Sequence, residues 1–322
     1  MAWSTSDIPD LTRRTVVVTG ANAGLGYETA RALAGAGAHV VMAARDQAKA
    51  TRAMAELRAE LPEASFELVE LDLASLASVR AAADTVLAAH DTVDVLVNNA
   101  GLMAVPERRT TDGFEMQLGV NHLGHFALTA HLLPALLRAE AARVVSVSST
   151  AHHIGRAVDP ANPHLNCGYG PWKAYGQSKL ANLHFALGLQ RRFAQAGVAA
   201  TSLCAHPGLT HSELQARSVT ESGGGTLQRF FHTMTVATGM SPAQGALSQL
   251  RAATDPQATG GQFYGPLLGN AGPPVVKPLL RRLGLSRAID RLWEVSERET
   301  GVRLDVAAGV SPPPRPQRVG GP

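Results

Sequence analysis

Five β-branched residues in a row, Thr15–Thr19, run directly into the glycine-rich segment Gly20-Ala21-Asn22-Ala23-Gly24-Leu25-Gly26. Such a run predicts a strand buried on both faces of a parallel sheet, and the residues after it predict a helix. Glycines at these positions let the backbone turn tightly and approach a pyrophosphate, which the helix N-terminus also attracts. A loop that needs glycine only for positive φ is the alternative, and the strand–loop–helix context disfavours it.

The rest of the chain repeats this alternation. Short apolar runs predict seven strands: Thr15–Thr19, His39–Ala43, Ser65–Leu71, Val93–Val97, Arg143–Val147, Ala199–Cys204 and Gly261–Tyr264. Periodic stretches predict helices at Gly24–Leu33, Gln47–Leu61, Leu76–His90, Phe114–Arg138, Trp172–Ala196 and Pro242–Ala253. Pro134 is expected to kink the fourth helix or end it early, and Gly197 to cap the fifth. Alternating strands and helices predict an α/β fold, a doubly wound parallel sheet with helices on both faces.

Composition supports a globular chain of 322 residues, since 45% are hydrophobic and 17% charged. No run approaches the ~18–20 apolar residues of a membrane span. The N-terminus lacks the pattern of a secretory signal, and two cysteines fit a reducing compartment. We therefore expect a cytoplasmic protein. A net charge of +3 and 5% aromatic residues give little support for nucleic-acid binding.

The expected organisation is a single domain over residues 1–308, followed by a disordered Pro/Gly/Arg-rich tail over 309–322. Residues 152–171 are predicted to form a long loop. Residues 209–240 contain three consecutive glycines and are predicted to be a mobile flap. Residues 275–300 are predicted to form a helical cap, which with the flap would close over an apolar substrate.

Tyr175 and Lys179 lie four residues apart on a predicted helix and therefore share one face. An unperturbed tyrosine is a poor base at neutral pH, but an ammonium group one turn away favours the phenolate and lowers the tyrosine pKa. Such a tyrosine can exchange a proton with a carbinol or carbonyl oxygen. Ser149 or Ser148, at the end of the fifth strand, would stabilise charge on that oxygen.

The spacing T-G-x-x-x-G-x-G, the segment Asn98-Asn99-Ala100-Gly101 after the fourth strand, and Asp72 after the third resemble the short-chain dehydrogenase/reductase family. This resemblance covers residues 12–265 and implies a Rossmann-type sheet with strand order 3-2-1-4-5-6-7. It also implies a catalytic tetrad of Asn121, Ser149, Tyr175 and Lys179. In that tetrad Ser149 is preferred to Ser148, Asn121 holds a water that relays protons, and Lys179 also holds the nicotinamide ribose.

The same resemblance implies a cofactor site spread over several loops. Its residues would be Gly20, Asn22, Ala23, Gly24, Leu25, Gly26, Arg45, Asp72, Leu73, Asn98, Ala100, Gly101, Tyr175, Lys179, Pro207, Gly208 and Ser212. Asp72 would contact the adenine. Ser212 stands at the family's usual threonine, with Thr210 as the alternative.

Cofactor choice follows from the end of the second strand. An acidic residue there binds the ribose 2′-hydroxyl of NAD and repels a 2′-phosphate. By family spacing this position is Ala44, and the next residue, Arg45, can pair with a phosphate. Asp46 is predicted to cap the following helix instead. We therefore expect NADP(H) rather than NAD(H).

Ser149 and Tyr175 are separated by 26 positions, more than in the simplest family members. The inserted loop, with Ser-Thr-Ala-His-His before it and Ser-Lys-Leu-Ala-Asn after the tyrosine, is similar to the retinol-dehydrogenase and WW-domain-oxidoreductase branch. That branch implies lipophilic alcohols and carbonyls, without carrying over retinoid specificity. The family often forms homodimers through its long helices, so a homodimer is possible.

The sequence therefore predicts an NADP(H)-dependent oxidoreductase that interconverts an alcohol and a ketone or aldehyde. The alternatives are a non-catalytic NADP(H)-binding sensor and an epimerase or dehydratase on the same fold. No metal is expected, because the pairs His122/His125 and His152/His153 lack a convergent carboxylate or cysteine and the family needs none.

Overall fold

The computed structural model describes residues 2–210, 239–279 and 284–310. Its centre is one eight-stranded sheet with the order β3-β2-β1-β4-β5-β6-β7-β8. The strands are β1 (Thr15–Thr19), β2 (His39–Ala44), β3 (Ser65–Glu70), β4 (Val95–Asn98), β5 (Arg143–Val147), β6 (Thr201–Ala205), β7 (Phe263–Pro266) and β8 (Pro274–Lys277). The first seven pair in parallel and have the predicted order. The expected doubly wound sheet is confirmed.

The eighth strand was not predicted. It pairs antiparallel with β7, so that Tyr264 faces Val276, and it forms one edge of the sheet. Its last three residues, 275–277, fall at the start of the segment predicted to be a helical cap, and that prediction was wrong for them. Proline at the first position of an edge strand is compatible with pairing, because a missing N–H at an edge need not leave a neighbouring carbonyl unpaired.

Helices cover both faces of the sheet. They are α1 (Gly24–Gly35), α2 (Gln47–Glu60), α3 (Leu76–Ala89), α4 (Met116–Leu118), α5 (Gly124–Arg138), α6 (Pro171–Ala196), α7 (Pro242–Thr254), α8 (Leu285–Thr300) and α9 (Val306–Val310). One core cluster unites side chains of α3, α5, α6 and α8 with one face, and a second unites α1, α2 and α7 with the other. The sheet is therefore buried on both sides, which explains its uninterrupted apolar strands.

The helical stretch predicted over Phe114–Arg138 differs from expectation at two places. A π-helical segment, Gly119–Leu123, separates α4 from α5, and α5 continues through Pro134 to Arg138 rather than ending early. Pro134 is exposed, so the carbonyl left without its helical partner one turn earlier lies towards solvent, where water can satisfy it.

Helix α6 carries two of the predicted site residues and has clear boundaries. Pro171 stands at its first position, where a missing N–H costs nothing. Gly197 ends it in the left-handed conformation with a φ of 66°, as predicted. Helix α8 packs across α6 at Gly188, where an added Cβ would lie 2.8 Å from Ile289. Among the described residues, no helix combines the length and apolarity needed to cross a bilayer.

Three predicted segments extend beyond the described residues. Most of the flap predicted over 209–240, including Ser212, lies there, as do residues 280–283 of the predicted cap and most of the predicted tail.

Candidate functional site

The glycine-rich loop joins β1 to α1 through very close backbone contacts. A Cβ at Gly26 would overlap the carbonyl oxygen of Gly20 and would lie 2.7 Å from Nδ2 of Asn99. Gly20 has a φ of 67°, and its Cβ would lie 3.1 Å from Ala100. Glycine at these two positions is therefore required for the loop to close on its neighbours.

Thr19 and Asn99 tie this loop to the segment after β4. The Thr19 hydroxyl accepts hydrogen bonds from the backbone N–H groups of Asn99 (2.9 Å) and Ala100 (3.0 Å). Nδ2 of Asn99 donates to the Thr19 carbonyl at 2.8 Å. The two loops are thus fixed against each other at the carboxyl ends of β1 and β4, where ligands bind in doubly wound sheets.

A cleft of about 260 Å³ lies along these loops. Its lining includes eleven of the predicted cofactor residues: Gly20, Asn22, Ala23, Gly24, Leu25, Gly26, Arg45, Asp72, Leu73, Ala100 and Gly101. At Gly24, which opens α1, an added Cβ would meet no atom within 4 Å. The helix N-terminus therefore faces open space, as a pyrophosphate cradle requires. The residues present fit a dinucleotide.

One end of the cleft carries two basic side chains and one carboxylate, that of Asp46. Arg45 is exposed, Lys49 is half-buried, and both line it. Ala44 is buried and uncharged. Asp46 caps α2, with its carboxylate accepting from the Lys49 backbone N–H at 2.9 Å, which confirms the capping prediction. Lys49 was not predicted as a site residue, although its position one turn into the helix that starts at this end was visible in the sequence.

Five described residues of the predicted cofactor set lie outside this lining: Asn98, Tyr175, Lys179, Pro207 and Gly208. Asn98 is buried with its Nδ2 directed to the Thr129 hydroxyl at 3.1 Å, and Asn99 takes its place in the lining. Ser212 lies outside the described residues. The alternative, Thr210, is buried with its methyl group against Gly245 of α7.

Tyr175 and Lys179 are both buried on α6, with Lys179 Nζ 5.9 Å from the centroid of the Tyr175 ring. Nζ donates to the Val147 carbonyl at 3.1 Å. It would lie 3.3 Å from a Cβ on Gly101, which lines the nucleotide cleft. The lysine therefore connects the end of that cleft to the tyrosine.

The two serines after β5 have different surroundings. Ser148 is buried, and its hydroxyl donates to the Lys179 carbonyl at 2.7 Å. Ser149 is only half-buried and caps a short 3₁₀ helix, Thr150–His153. Its side chain is hydrogen-bonded to the Tyr175 hydroxyl, and this bond acts to lower the pKa of the phenol. The structure thus brings Ser149, and not Ser148, to Tyr175.

Electrostatics at the tyrosine differ from the sequence argument. Burial raises the pKa of Tyr175 above its ordinary value, and the Ser149 hydrogen bond offsets this only in part. Burial also lowers the pKa of Lys179 to about 8. The expected net lowering of the Tyr175 pKa is therefore absent in the protein alone, because the lysine is directed to Val147 and is itself desolvated.

Asn121 lies in the π-helical segment, a distortion common at functional sites. Its Oδ1 accepts from the Leu102 N–H at 2.7 Å, and its Nδ2 donates to the Leu102 carbonyl and the Ser178 hydroxyl, both at 2.9 Å. Its backbone carbonyl lies 3.0 Å from Nδ1 of His125. The side chain thus holds the loop after Gly101 against α6, and the expected water relay stays a prediction.

The histidines near the site have structural partners. His125 contacts the Thr19 hydroxyl through Nε2 at 2.9 Å, and His122 contacts the Ser296 hydroxyl on α8 at 2.7 Å. Burial lowers the pKa of His125 to about 4 and that of His122 to about 3. Both are neutral at pH 7 and bridge elements of the core.

A parallel sheet in this strand order, with a glycine-rich βα loop and an adjoining cleft that fits a dinucleotide, defines a Rossmann-type fold. The sequence profile described as short chain dehydrogenase matches residues 14–222. The chain belongs to the short chain dehydrogenase family, as the motifs predicted, and to its retinol-dehydrogenase-like branch.

Individual relatives agree with this assignment. The chain is 42% identical to the polyprenol dehydrogenase of Mus musculus, and the matched region covers 79% of this chain and 75% of the relative. It is 36% identical to the retinol dehydrogenase 14 of Homo sapiens, over 90% of this chain and 87% of the relative. Human retinol dehydrogenase 12 is 45% identical, but the matched region covers only 64% of each chain.

Solved structures show the same fold. An uncharacterized protein of Mycobacterium paratuberculosis is 42% identical and matches 94% of this chain and 99% of its own, with a TM-score of 0.77. A short chain dehydrogenase of Shigella flexneri complexed with NADP matches 80% of this chain and 98% of its own at 23% identity, with a TM-score of 0.59. At that identity the likeness concerns the fold alone.

Proposed function

We propose that this protein is an NADP(H)-dependent oxidoreductase that interconverts an alcohol and a ketone or aldehyde on a lipophilic small molecule. The observation that carries the proposal is the convergence of Ser149 and Lys179 on Tyr175, beside the cleft that fits a dinucleotide. A sensor that only binds nucleotide has no need of a buried tyrosine whose hydroxyl is hydrogen-bonded at a strand end.

Each residue has a defined task in this proposal. The bound cofactor supplies or accepts the hydride. Tyr175 gives a proton to the substrate oxygen during reduction and takes it back during oxidation. Since burial raises the tyrosine pKa, the phenol is protonated at neutral pH and is ready to act as the acid. Ser149 hydrogen-bonds the same oxygen and stabilises the charge that develops on it.

Lys179 and Asn121 would support the tyrosine. The ammonium group of Lys179 favours the phenolate after proton transfer, and the Val147 carbonyl holds it at the end of the cleft. Asn121 fixes the Leu102 backbone on one side and Ser178 of α6 on the other. The cleft and the tyrosine helix are thereby kept in one geometry, which positioning of substrate and cofactor requires.

A lipophilic substrate is supported by the named activities of two relatives, polyprenol dehydrogenase and retinol dehydrogenase. It is also supported by apolar side chains exposed near the site. Ile154, directly after the 3₁₀ helix that begins at Ser149, is 67% exposed. Leu268 is 80% exposed in the β7–β8 turn, whose Asn270 carbonyl holds the Leu209 N–H at 2.9 Å.

The direct test is a panel of alcohols and carbonyl compounds, short and long-chain, with NADPH or NADP⁺ consumption followed by absorbance. We expect turnover of long-chain or ring-containing substrates and little of short polar ones. NADPH binding without turnover of any panel member would favour the sensor. Substrate conversion with tightly held cofactor and no net NADPH consumption would favour the epimerase or dehydratase. Either result would reject the proposal.

Arg45→Ala tests the cofactor preference. Loss of a charge-assisted contact to the 2′-phosphate, worth about 1.5–3 kcal/mol, should weaken NADPH binding by roughly tenfold to a hundredfold. NADH has no 2′-phosphate, so its affinity should change by less than about twofold, on the same scale. The dissociation constants of NADPH and NADH are measured by adding each nucleotide to the protein and following its tryptophan fluorescence.

Arg52→Ala is the matched control, since Arg52 is an exposed arginine of α2 outside the cleft lining. It should leave both affinities unchanged. Equal losses of NADPH and NADH binding in the Arg45 variant would remove the argument for NADP(H).

A further inference from the structure

Two histidines and a glutamate converge near the amino-terminal ends of β2 and β3, whereas the nucleotide cleft lies at the carboxyl ends of the strands. His39 opens β2, Glu67 lies in β3, and His90 follows the last residue of α3. One potential ligand atom from each of the three side chains lies within 4.8 Å of the others. From this geometry we propose that the His39–Glu67–His90 cluster binds a zinc ion, which fastens β2, β3 and the end of α3 together.

Two of the three ligand separations are close to those of a tetrahedral ion, and the third, between the histidine nitrogens, is within 4.8 Å. Nε2 of His90 lies 2.9 Å and Nε2 of His39 3.4 Å from the same Glu67 oxygen. Ligands bound to zinc at about 2.0–2.2 Å stand roughly 3.3–3.5 Å apart in a tetrahedron. The His39 separation already has this value, and the His90 separation needs to open by only a few tenths of an ångström.

The chemical nature of the ligands selects zinc over calcium or magnesium. Two imidazole nitrogens and one carboxylate are typical zinc ligands, whereas calcium and magnesium prefer oxygen donors. The side chains of His39, Glu67 and His90 are 29%, 29% and 15% exposed. An ion can therefore enter from solvent, and water can supply the fourth ligand.

His39 is also held by a second contact. Its Nδ1 lies 2.7 Å from the hydroxyl of Ser65, the residue paired with it across the sheet. Metal-binding histidines commonly use their other ring nitrogen for such a hydrogen bond, which fixes the ring orientation. The Ser65 contact leaves Nε2 as the nitrogen directed to Glu67.

The position of the cluster gives the ion a stabilising task. His39 is the first residue of β2, and Ala44, which lines the nucleotide cleft, is the last. Five residues of strand place them about 16 Å apart. A zinc ion there would cross-link three elements without reaching the proposed chemistry, so its loss should lower stability and leave turnover intact.

The test is calorimetric titration of chelator-treated full-length protein with zinc chloride at neutral pH. We expect saturable binding of about one equivalent. Glu67→Gln and His90→Gln should each weaken it at least about tenfold, the lower end of the effect seen for residues supporting a metal site. His131→Gln is the matched control, because His131 is a half-buried histidine of α5 outside the cluster, and it should bind zinc as the unaltered protein does.

Two further readouts do not depend on turnover. Cobalt(II) should give the intense visible absorption of a tetrahedral complex, lost in Glu67→Gln. Added zinc should raise the melting temperature of the unaltered protein with concentration, but not that of Glu67→Gln. Failure to bind zinc saturably, or binding that survives both ligand substitutions, would show that the cluster is held by hydrogen bonds alone.

Activity separates this inference from the proposed function. With a substrate from the panel, chelator treatment should leave turnover within about twofold, because the cluster and the cleft lie at opposite strand ends. A large loss of turnover restored by zinc would contradict the stabilising role assigned to this site. Zinc binding can succeed or fail whatever the substrate panel shows.

Discussion

Tyr175→Phe is expected to lower turnover by about 10²–10⁴-fold, the usual contribution of a positioned acid or base. The substitution removes only the hydroxyl that is hydrogen-bonded by Ser149. The ring stays, so the burial of this position on α6 is kept and the fold should be unaffected. With no phenol to donate, the substrate oxygen loses the proton donor that is positioned for it. Steady-state rates of NADPH consumption with a panel substrate measure the effect.

NADPH affinity should change little in the same variant. Tyr175 lies outside the lining of the nucleotide cleft, while Gly101 and the glycine-rich loop form that lining. We expect a dissociation constant within about threefold of the unaltered protein, a free-energy change well under 1 kcal/mol. Binding that survives while turnover is lost assigns the hydroxyl to chemistry rather than to the fold.

Tyr27→Phe is the control for removing a tyrosine hydroxyl near the loop. Tyr27 is a half-buried residue of α1 that does not line the cleft. It should retain both turnover and NADPH binding. Activity of the Tyr175 variant within tenfold of the unaltered protein would refute the acid/base role, whatever the control shows.

The amino-acid sequence predicts those parts of the structure that depend on residues adjacent along the chain. The strand Thr15–Thr19 and the turn at Gly20 follow from β-branching and from the absence of a side chain, both local properties. It does not predict β8. Its four residues, Pro274–Lys277, begin with proline and follow another, a pattern typical of loops. Only pairing with β7 makes them a strand, and that partner cannot be recognised from the segment itself.

The site shows the same division. Gly24 and Gly26 were assigned to the cleft from their spacing, and they line it. Asn98 was assigned by family position, but it ends β4 with its side chain directed to Thr129, and the next residue faces the loop. Side chains of adjacent residues in an extended chain point to opposite sides. An error of one residue therefore assigns to the cleft a side chain that points away from it.

Long-range convergence was invisible in the sequence. His39, Glu67 and His90 are 28 and 23 positions apart and lie on three elements, so no ligand spacing marks them. The pKa of Tyr175 was likewise misjudged, because helix spacing predicts the proximity of Lys179 but not its hydrogen bond to Val147 or the burial of both groups. Desolvation depends on the complete fold.

Gly26→Ala should damage nucleotide binding more than any other single methyl group added to α1. The new Cβ would overlap the Gly20 carbonyl oxygen and lie 2.7 Å from Asn99 Nδ2. The carbonyl is backbone, and Nδ2 is fixed by its 2.8 Å hydrogen bond to Thr19, so neither can move aside easily. The loop must separate from α1, at a cost of about 1–3 kcal/mol in stability. NADPH affinity, measured by titration, should fall at least about a hundredfold, equivalent to roughly 3 kcal/mol.

Gly35→Ala provides the comparison, because it adds the same methyl group at the other end of α1. Its Cβ would meet Leu61 at 3.9 Å, an ordinary contact. Alanine favours helix over glycine by roughly 0.5–1 kcal/mol, so the midpoint of chemical unfolding should stay the same or rise, and NADPH affinity should not change. Equal NADPH affinity in Gly26→Ala and Gly35→Ala would contradict this prediction. It would show that the close approach of Gly26 to Gly20 is not needed for nucleotide binding, and that the pyrophosphate does not bind at this loop.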